Sequence, residues 1–286
     1  MTMPSFDFVA AKSLDQAAEL AVSLGGKCQI MAGGTDVMPL LRDRLIRPEL
    51  VVSLREIPGL DKIEFKPGEG LRIGALATLD QIQASPAVRD NLPAVAEAAH
   101  YVASKQIRCK GTMAGNICNA SPSADTACVL IVMGARILTT KREIQIGGFF
   151  KGVKKTCLEP GELVREIFVP ELKSGEGSGY LKHAVRKAMD LAIIGVASWV
   201  RMDGQKIADC RMAFGGAGIT PLRALQAEKH LKGKTYSEAL LEEAAVLAAA
   251  DAKPISDVRA SAEYRSDMIR VYAKRSFKRA LETLRS

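Results

Sequence analysis

Twice along this chain a glycine-rich stretch stands between a short apolar run and a helical pattern. The first, AGGTD at 32–36, follows the run ending at Ala32 and leads into DVMPLLRDRL. The second, GTMAGNICNASPSAD at 111–125, leads into the apolar helical run TACVLIVMG. Glycine at such a junction either makes a tight turn, because it has no Cβ, or lets backbone N–H groups come close to an anion. Neither stretch has G-x-G-x-x-G spacing and no G-x-x-x-x-G-K-[ST] occurs, so the Rossmann and P-loop patterns are both missing. For either stretch alone, a plain turn and a phosphate seat both stay open.

Two such stretches in one domain favour the seat, since a dinucleotide has two phosphates and a long body that needs donors from several sides. Thr112, Gly115 and Asn116 offer a hydroxyl, a bare backbone and an amide within a few positions. Asp36 lies near a helix start, where a carboxylate complements the dipole. Asp125 reads equally as a helix-start residue or as an acceptor for ribose or ribityl hydroxyls.

Around these stretches the pattern is mixed α/β. Ser13 stands at capping-box spacing from Gln16, Leu14, Ala17, Ala18 and Ala21 share a helical face, and Gly25-Gly26 ends that helix. ELVVSL (49–54) reads as a buried strand and KIEFKPGEGLRIGA as a hairpin. Residues 78–84 and 91–104 read as helices, and 135–140 and 143–146 as strands. SGEGSG at 174–179 has the small, polar composition of a linker. Beyond it, two alternating runs joined at Asp203-Gly204 predict a hairpin, and 220–232, 237–251 and 258–284 predict helices. The expected division is therefore 1–175, with subdomains of about 1–56 and 57–175, followed by a smaller α+β unit at 176–286.

Composition narrows the function classes. At 48% apolar and 25% charged residues, the chain can build a globular core. No segment reaches the roughly 18 uncharged apolar residues of a membrane helix, and the N-terminus has no basic start before an apolar block. The expectation is a cytoplasmic protein with no membrane span. The six cysteines show no C-x-x-C pair and no Cys/His cluster, so they read as buried free thiols, and a redox cofactor here would not be a metal. The net charge of +8 gathers around the C-terminal helix RVYAKRSFKRALETLR without a recognition module, which argues against nucleic acid. A solvated face, or a patch meeting an acidic partner subunit, accounts for it better.

AGGTD (32–36), KQIRCKGTMAGNICNASPSAD (105–125), LEPGELVREIFVP (158–170) and LKHAVRKAMDLAIIGVA (181–197) resemble the FAD-binding subunit of the xanthine dehydrogenase and carbon-monoxide dehydrogenase family of molybdenum hydroxylases. SDVRASAEYR (256–265) resembles the C-terminal domain of the same flavoprotein, so the resemblance runs through essentially the whole chain in order. It implies a two-part FAD-binding domain of the vanillyl-alcohol oxidase and p-cresol methylhydroxylase type, followed by a small α+β domain with an antiparallel sheet and helices. By the same resemblance Ala32, Gly33, Gly34, Thr35 and Asp36, with Thr112, Gly115 and Asn116, grip the FAD pyrophosphate and adjoining sugar. Asn119, Ser121 and Asp125 lie on the segment that continues along the cofactor.

The resemblance sets Lys182 near the flavin ring, where a cation stabilises negative charge developing at the N1/C2 carbonyl edge on reduction. Leu191 and Val164 match apolar wall positions, and Val102 falls where xanthine dehydrogenases carry a phenylalanine over the flavin. Read without it, Lys182 is a solvated strand residue and Leu191 is core. The family's function is electron transfer: a large subunit holds the molybdenum cofactor, a small subunit carries two [2Fe-2S] clusters, and FAD passes electrons to an external acceptor such as NAD, a quinone or a protein. A dimer of heterotrimers is the implied assembly. The alternatives are a stand-alone FAD-dependent oxidoreductase without molybdenum, which needs its own acid/base residue near the flavin, and a cofactor-free scaffold.

Overall fold

The computed structural model describes residues 3–186 and 188–285. Strands β1 (Asp7–Ala10), β2 (Cys28–Met31) and β3 (Leu50–Ser53) form a parallel sheet in the order β1-β3-β2, with helices α1 (Leu14–Ser23) and α2 (Val37–Arg42) in the connections. Ser13 caps α1 by accepting from the N–H of Gln16, as the capping-box spacing predicts. β3 is buried along its whole length, which is why Val51 and Val52 read as a continuous apolar run.

A second, antiparallel sheet takes β4 (Ile63–Lys66), β5 (Gly70–Gly74), β6 (Arg136–Thr139), β7 (Glu143–Gln145) and β10 (Val164–Pro170) in the order β4-β5-β10-β6-β7. Between β5 and β6 run helices α3 (Leu79–Ala84), α4 (Pro86–Asn91), α5 (Pro93–His100), α6 (Lys105–Arg108), α7 (Met113–Cys118) and α8 (Asp125–Met133). A short hairpin of β8 (Phe150–Gly152) and β9 (Lys155–Thr156) follows β7. The third sheet joins β11 (Glu176–His183), β12 (Ile194–Asp203), β13 (Lys206–Gly215) and β14 (Leu222–Arg223) in chain order. Helices α9 (Leu225–Leu231), α10 (Glu238–Asp251) and α11 (Ala262–Glu282) complete the chain.

Helix α8 explains how the parts are joined. All nine of its residues are buried, the state of a helix that is apolar all round, and it packs on α5, β12 and β13. Gly134 ends it in the left-handed conformation, and the Arg211 guanidinium donates to the Val132 carbonyl, placing a cation at the negative end of the helix dipole. One apolar cluster therefore contains Val129 and Leu130 together with Tyr180, Ala197, Trp199 and Ala213 from the third sheet.

Several sequence expectations change. SGEGSG is not a linker: its last four residues open β11, pairing with Arg201 to Ser198 of β12. A β-carbon on Gly177 would lie 2.1 Å from the Ala280 carbonyl oxygen, and one on Gly179 would lie 2.7 Å from Arg279. These glycines let α11 lie directly on the strand, a need that has the same composition as flexibility. The second glycine stretch is not a continuous loop, because Thr112 caps α7 and draws Gly115 and Asn116 into a helical turn. The expected helix at 91–104 is α5 alone, entered through Pro93 and left at Tyr101, and the one expected from 220 begins at Leu225 after β14. The hairpin turn is Gly204-Gln205, since Asp203 pairs with Lys206. Cys109 is exposed and Cys28, Cys118 and Cys157 are half-buried, leaving only Cys128 and Cys210 as buried thiols among the six.

Candidate functional site

The two glycine segments meet. Gly33 follows β2 and Ala32, and its Cα rests so closely on the second segment that a β-carbon would sit 2.0 Å from the Lys110 carbonyl oxygen. A β-carbon on Gly111 would lie 3.2 Å from the Thr35 Oγ1. Gly34 has φ +76, which glycine adopts without strain, and its carbonyl accepts from the Met38 N–H to start α2. Asp36 occupies the cap position of α2 without capping it; its carboxylate instead accepts from the Asn119 side-chain amide at 2.7 Å.

The second segment is held from behind. The Gly111 carbonyl accepts from the Leu79 N–H, and the Thr112 hydroxyl accepts from the Gly115 N–H at 2.9 Å. The Asn116 Oδ1 accepts from the Thr126 hydroxyl of α8 at 2.6 Å, which fixes the amide with its NH2 as the remaining donor. Ser121 is half-buried in the connection to α8, next to Pro122, whose carbonyl accepts from the Gly216 N–H.

At the start of α8 a second group forms. Asp125 is buried, with one carboxylate oxygen accepting from the Tyr180 hydroxyl at 2.6 Å and the other from the Lys182 ammonium at 3.0 Å. Tyr180 and Lys182 are two apart on β11 and so project from one face. Burial raises the Asp125 pKa, and the Lys182 charge and the two hydrogen bonds oppose that rise. Lys182 is not a solvated strand residue: its side chain is 6% exposed, and its ammonium also donates to the Tyr101 carbonyl at 2.9 Å. Arg108, likewise buried, donates to the next two carbonyls, those of Val102 and Ala103, at 3.0 and 3.2 Å. Ala103 takes φ +47, a strained conformation for alanine that these two cations hold in place.

Thus the Gly33–Lys110 and Gly111–Thr35 abutments and the Asp36–Asn119 bond join the two glycine segments along one seam, with Thr112, Gly115 and Asn116 following at the start of α7. Asp125 and Lys182 pair apart from it, and the Lys182 ammonium reaches the Tyr101 carbonyl next to half-buried Val102. Val164 lies in β10 and is buried in the core cluster. Leu191 is not core; it is 50% exposed on the connection between β11 and β12. Sequence reasoning missed Tyr180, which the two-residue strand period from Lys182 could have suggested, and Arg108, which lies inside a quoted segment. The histidines are engaged apart from one another: His100 with Gln83, His183 with Tyr264 and Tyr272, His230 with Glu243.

Backbone amides, a hydroxyl and two amide side chains along a seam can take the oxygens of a diphosphate, and a buried ammonium beyond it can meet charge on a flat ring. The bare backbone at Gly33 lets the two segments lie in contact, so donors from both face such a group together, which fits it. Among the described residues, no helix is long and apolar enough to cross a membrane.

Residues 4–172 match the family described as FAD binding domain in molybdopterin dehydrogenase, and 179–280 match the CO dehydrogenase flavoprotein C-terminal domain. The chain is 34% identical to the 6-hydroxypseudooxynicotine dehydrogenase complex subunit alpha of Paenarthrobacter nicotinovorans, over 100% of this chain and 97% of that protein. It is 33% identical to the xanthine dehydrogenase FAD-binding subunit of Escherichia coli, over 96% of this chain and 97% of that one. A chain in the structure of carbon monoxide dehydrogenase from Hydrogenophaga pseudoflava superposes with a TM-score of 0.95 at 32% identity, covering 100% of both.

Proposed function

Because this chain belongs to the family of FAD-binding subunits of molybdenum hydroxylases, we propose that its two glycine segments seat FAD and that it serves as the electron outlet of a multi-subunit dehydrogenase. Gly33, Gly34, Thr35, Asp36, Thr112, Gly115 and Asn116 take the diphosphate and adjoining sugar, Asn119, Ser121 and Asp125 the chain of hydroxyls, and Val102, Val164, Lys182 and Leu191 the ring. Bound FAD supplies a centre that takes up electrons singly and gives them up in pairs. Of the three N–H donors of Lys182, Tyr101 and Asp125 occupy two, which leaves one for the edge of the ring. The cation is thus pre-placed where reduction puts negative charge. Electrons arrive from [2Fe-2S] clusters of a small partner subunit, the molybdenum cofactor belongs to a large one, and an external acceptor (NAD, a quinone or a protein) receives them; a dimer of heterotrimers is the assembly.

The observation that carries this reading is the abutment of Gly33 on Lys110 and of Gly111 on Thr35, which brings the donors of both segments side by side and supports one cofactor taken by both. Adding FAD to the purified apo-chain tests it. Stoichiometric yellow protein after gel filtration is expected; a colourless protein overturns it. Co-purification from the native host tests the assembly: molybdenum and iron-sulfur subunits are expected, and recovery of an active chain alone supports the stand-alone oxidoreductase.

A further inference from the structure

We infer that Lys154, on the turn between β8 and β9, is a third arm of the cofactor seat and adds a positive charge bonded directly to the seam through Asn119. The inference rests on the FAD reading above. The seam offers neutral donors and one carboxylate, Asp36, at its mouth. A diphosphate placed there meets repulsion from Asp36 unless a cation stands nearby, because like charges a few ångströms apart interact strongly near a protein surface.

Lys154 reaches both segments through one side chain. Its ammonium donates to the Asn119 Oδ1 at 2.6 Å, and the Asn119 Nδ2 donates to the Asp36 carboxylate at 2.7 Å, so the orientation of that amide is set from both ends. The turn is held for this purpose at a conformational cost. Lys154 has φ +58 and Ala120 has φ +47, two non-glycine residues in the left-handed region, and the Lys154 N–H donates to the Ala120 carbonyl at 3.0 Å. The ammonium keeps two further N–H donors beyond Asn119. Nothing in the local sequence GVKKT distinguishes Lys154 from Lys155; only the tertiary position of the hairpin does.

The test titrates FAD and riboflavin into the full apo-chain and follows quenching of flavin fluorescence. Lys154→Met is expected to weaken FAD about tenfold or more, the scale of one charge-assisted hydrogen bond, and to leave riboflavin, which has no phosphate, unchanged. Lys154→Arg is expected to recover most of the loss, and Lys155→Met to bind FAD as the parent does. FAD binding unchanged in Lys154→Met overturns the inference, and so does an equal loss for riboflavin, which marks a merely structural tether. Gly33→Val, measured alongside, separates the two levels. If it loses FAD while Lys154→Met does not, only Lys154 is misassigned; if it binds FAD like the parent, the seat itself is wrong and Lys154 falls with it.

Discussion

A β-carbon built on Gly33 would lie 2.0 Å from the carbonyl oxygen of Lys110, so the first glycine segment touches the second backbone to backbone. Any side chain at residue 33 must push them apart. Gly33→Val is expected to retain no flavin through gel filtration and to lose about 1–3 kcal/mol of stability, the usual cost of forcing atoms into a packed site. The absorbance ratio of flavin to protein and a urea unfolding curve check the two halves separately. Gly26→Ala is the control, since a β-carbon there meets nothing within 4 Å.

Asp125 and Lys182 pair at 3.0 Å with side chains 8% and 6% exposed, so each neutralises a charge that water cannot reach. Asp125→Ala is expected to cost about 3–5 kcal/mol, because Lys182 is left buried and uncompensated. Asp125→Ala with Lys182→Met should cost less than the sum of the two single changes, and urea unfolding of all four proteins gives the coupling. Simple additivity would mean that the pair does not act as a unit.

Glu162, buried beside β6, accepts from Thr139, from the Glu159 N–H and from Arg142 at 2.8 to 3.1 Å. Burial alone would raise its pKa, but Arg142 and the other donors outweigh burial and hold it below the ordinary 4.5. A depressed carboxylate stabilises the fold fully above its unfolded value and loses that contribution as pH falls through its folded value. Acid unfolding should therefore be steeper below about pH 4.5 in the parent than in Glu162→Gln, which should itself cost about 1–3 kcal/mol at neutral pH. Parallel acid slopes would contradict this.

Gly177 lies against the carbonyl of Ala280, where a β-carbon would come within 2.1 Å. In a linker, Gly177→Ala would be neutral or slightly stabilising. In β11 it is expected to lower stability by about 1–3 kcal/mol by lifting α11 from the sheet, and thermal unfolding decides between the two.

What the chain determines by itself is local. Ser13 caps α1 as its spacing requires, α8 is apolar on every side and is buried on every side, and the alternating runs around Gly204 pair as a hairpin. The quoted segments also identify the family, because motif order along a chain survives without coordinates. Tertiary structure alone decided which glycines are turns and which are contacts. SGEGSG looks flexible and is a packed strand; Lys182 looks solvated and is buried against Asp125; Leu191 looks like core and is exposed. The reason is the same in each case. A glycine, a lysine or a leucine has its meaning set by what lies across from it, and Ala280, Asp125 and Lys110 are distant in sequence from the residues they touch.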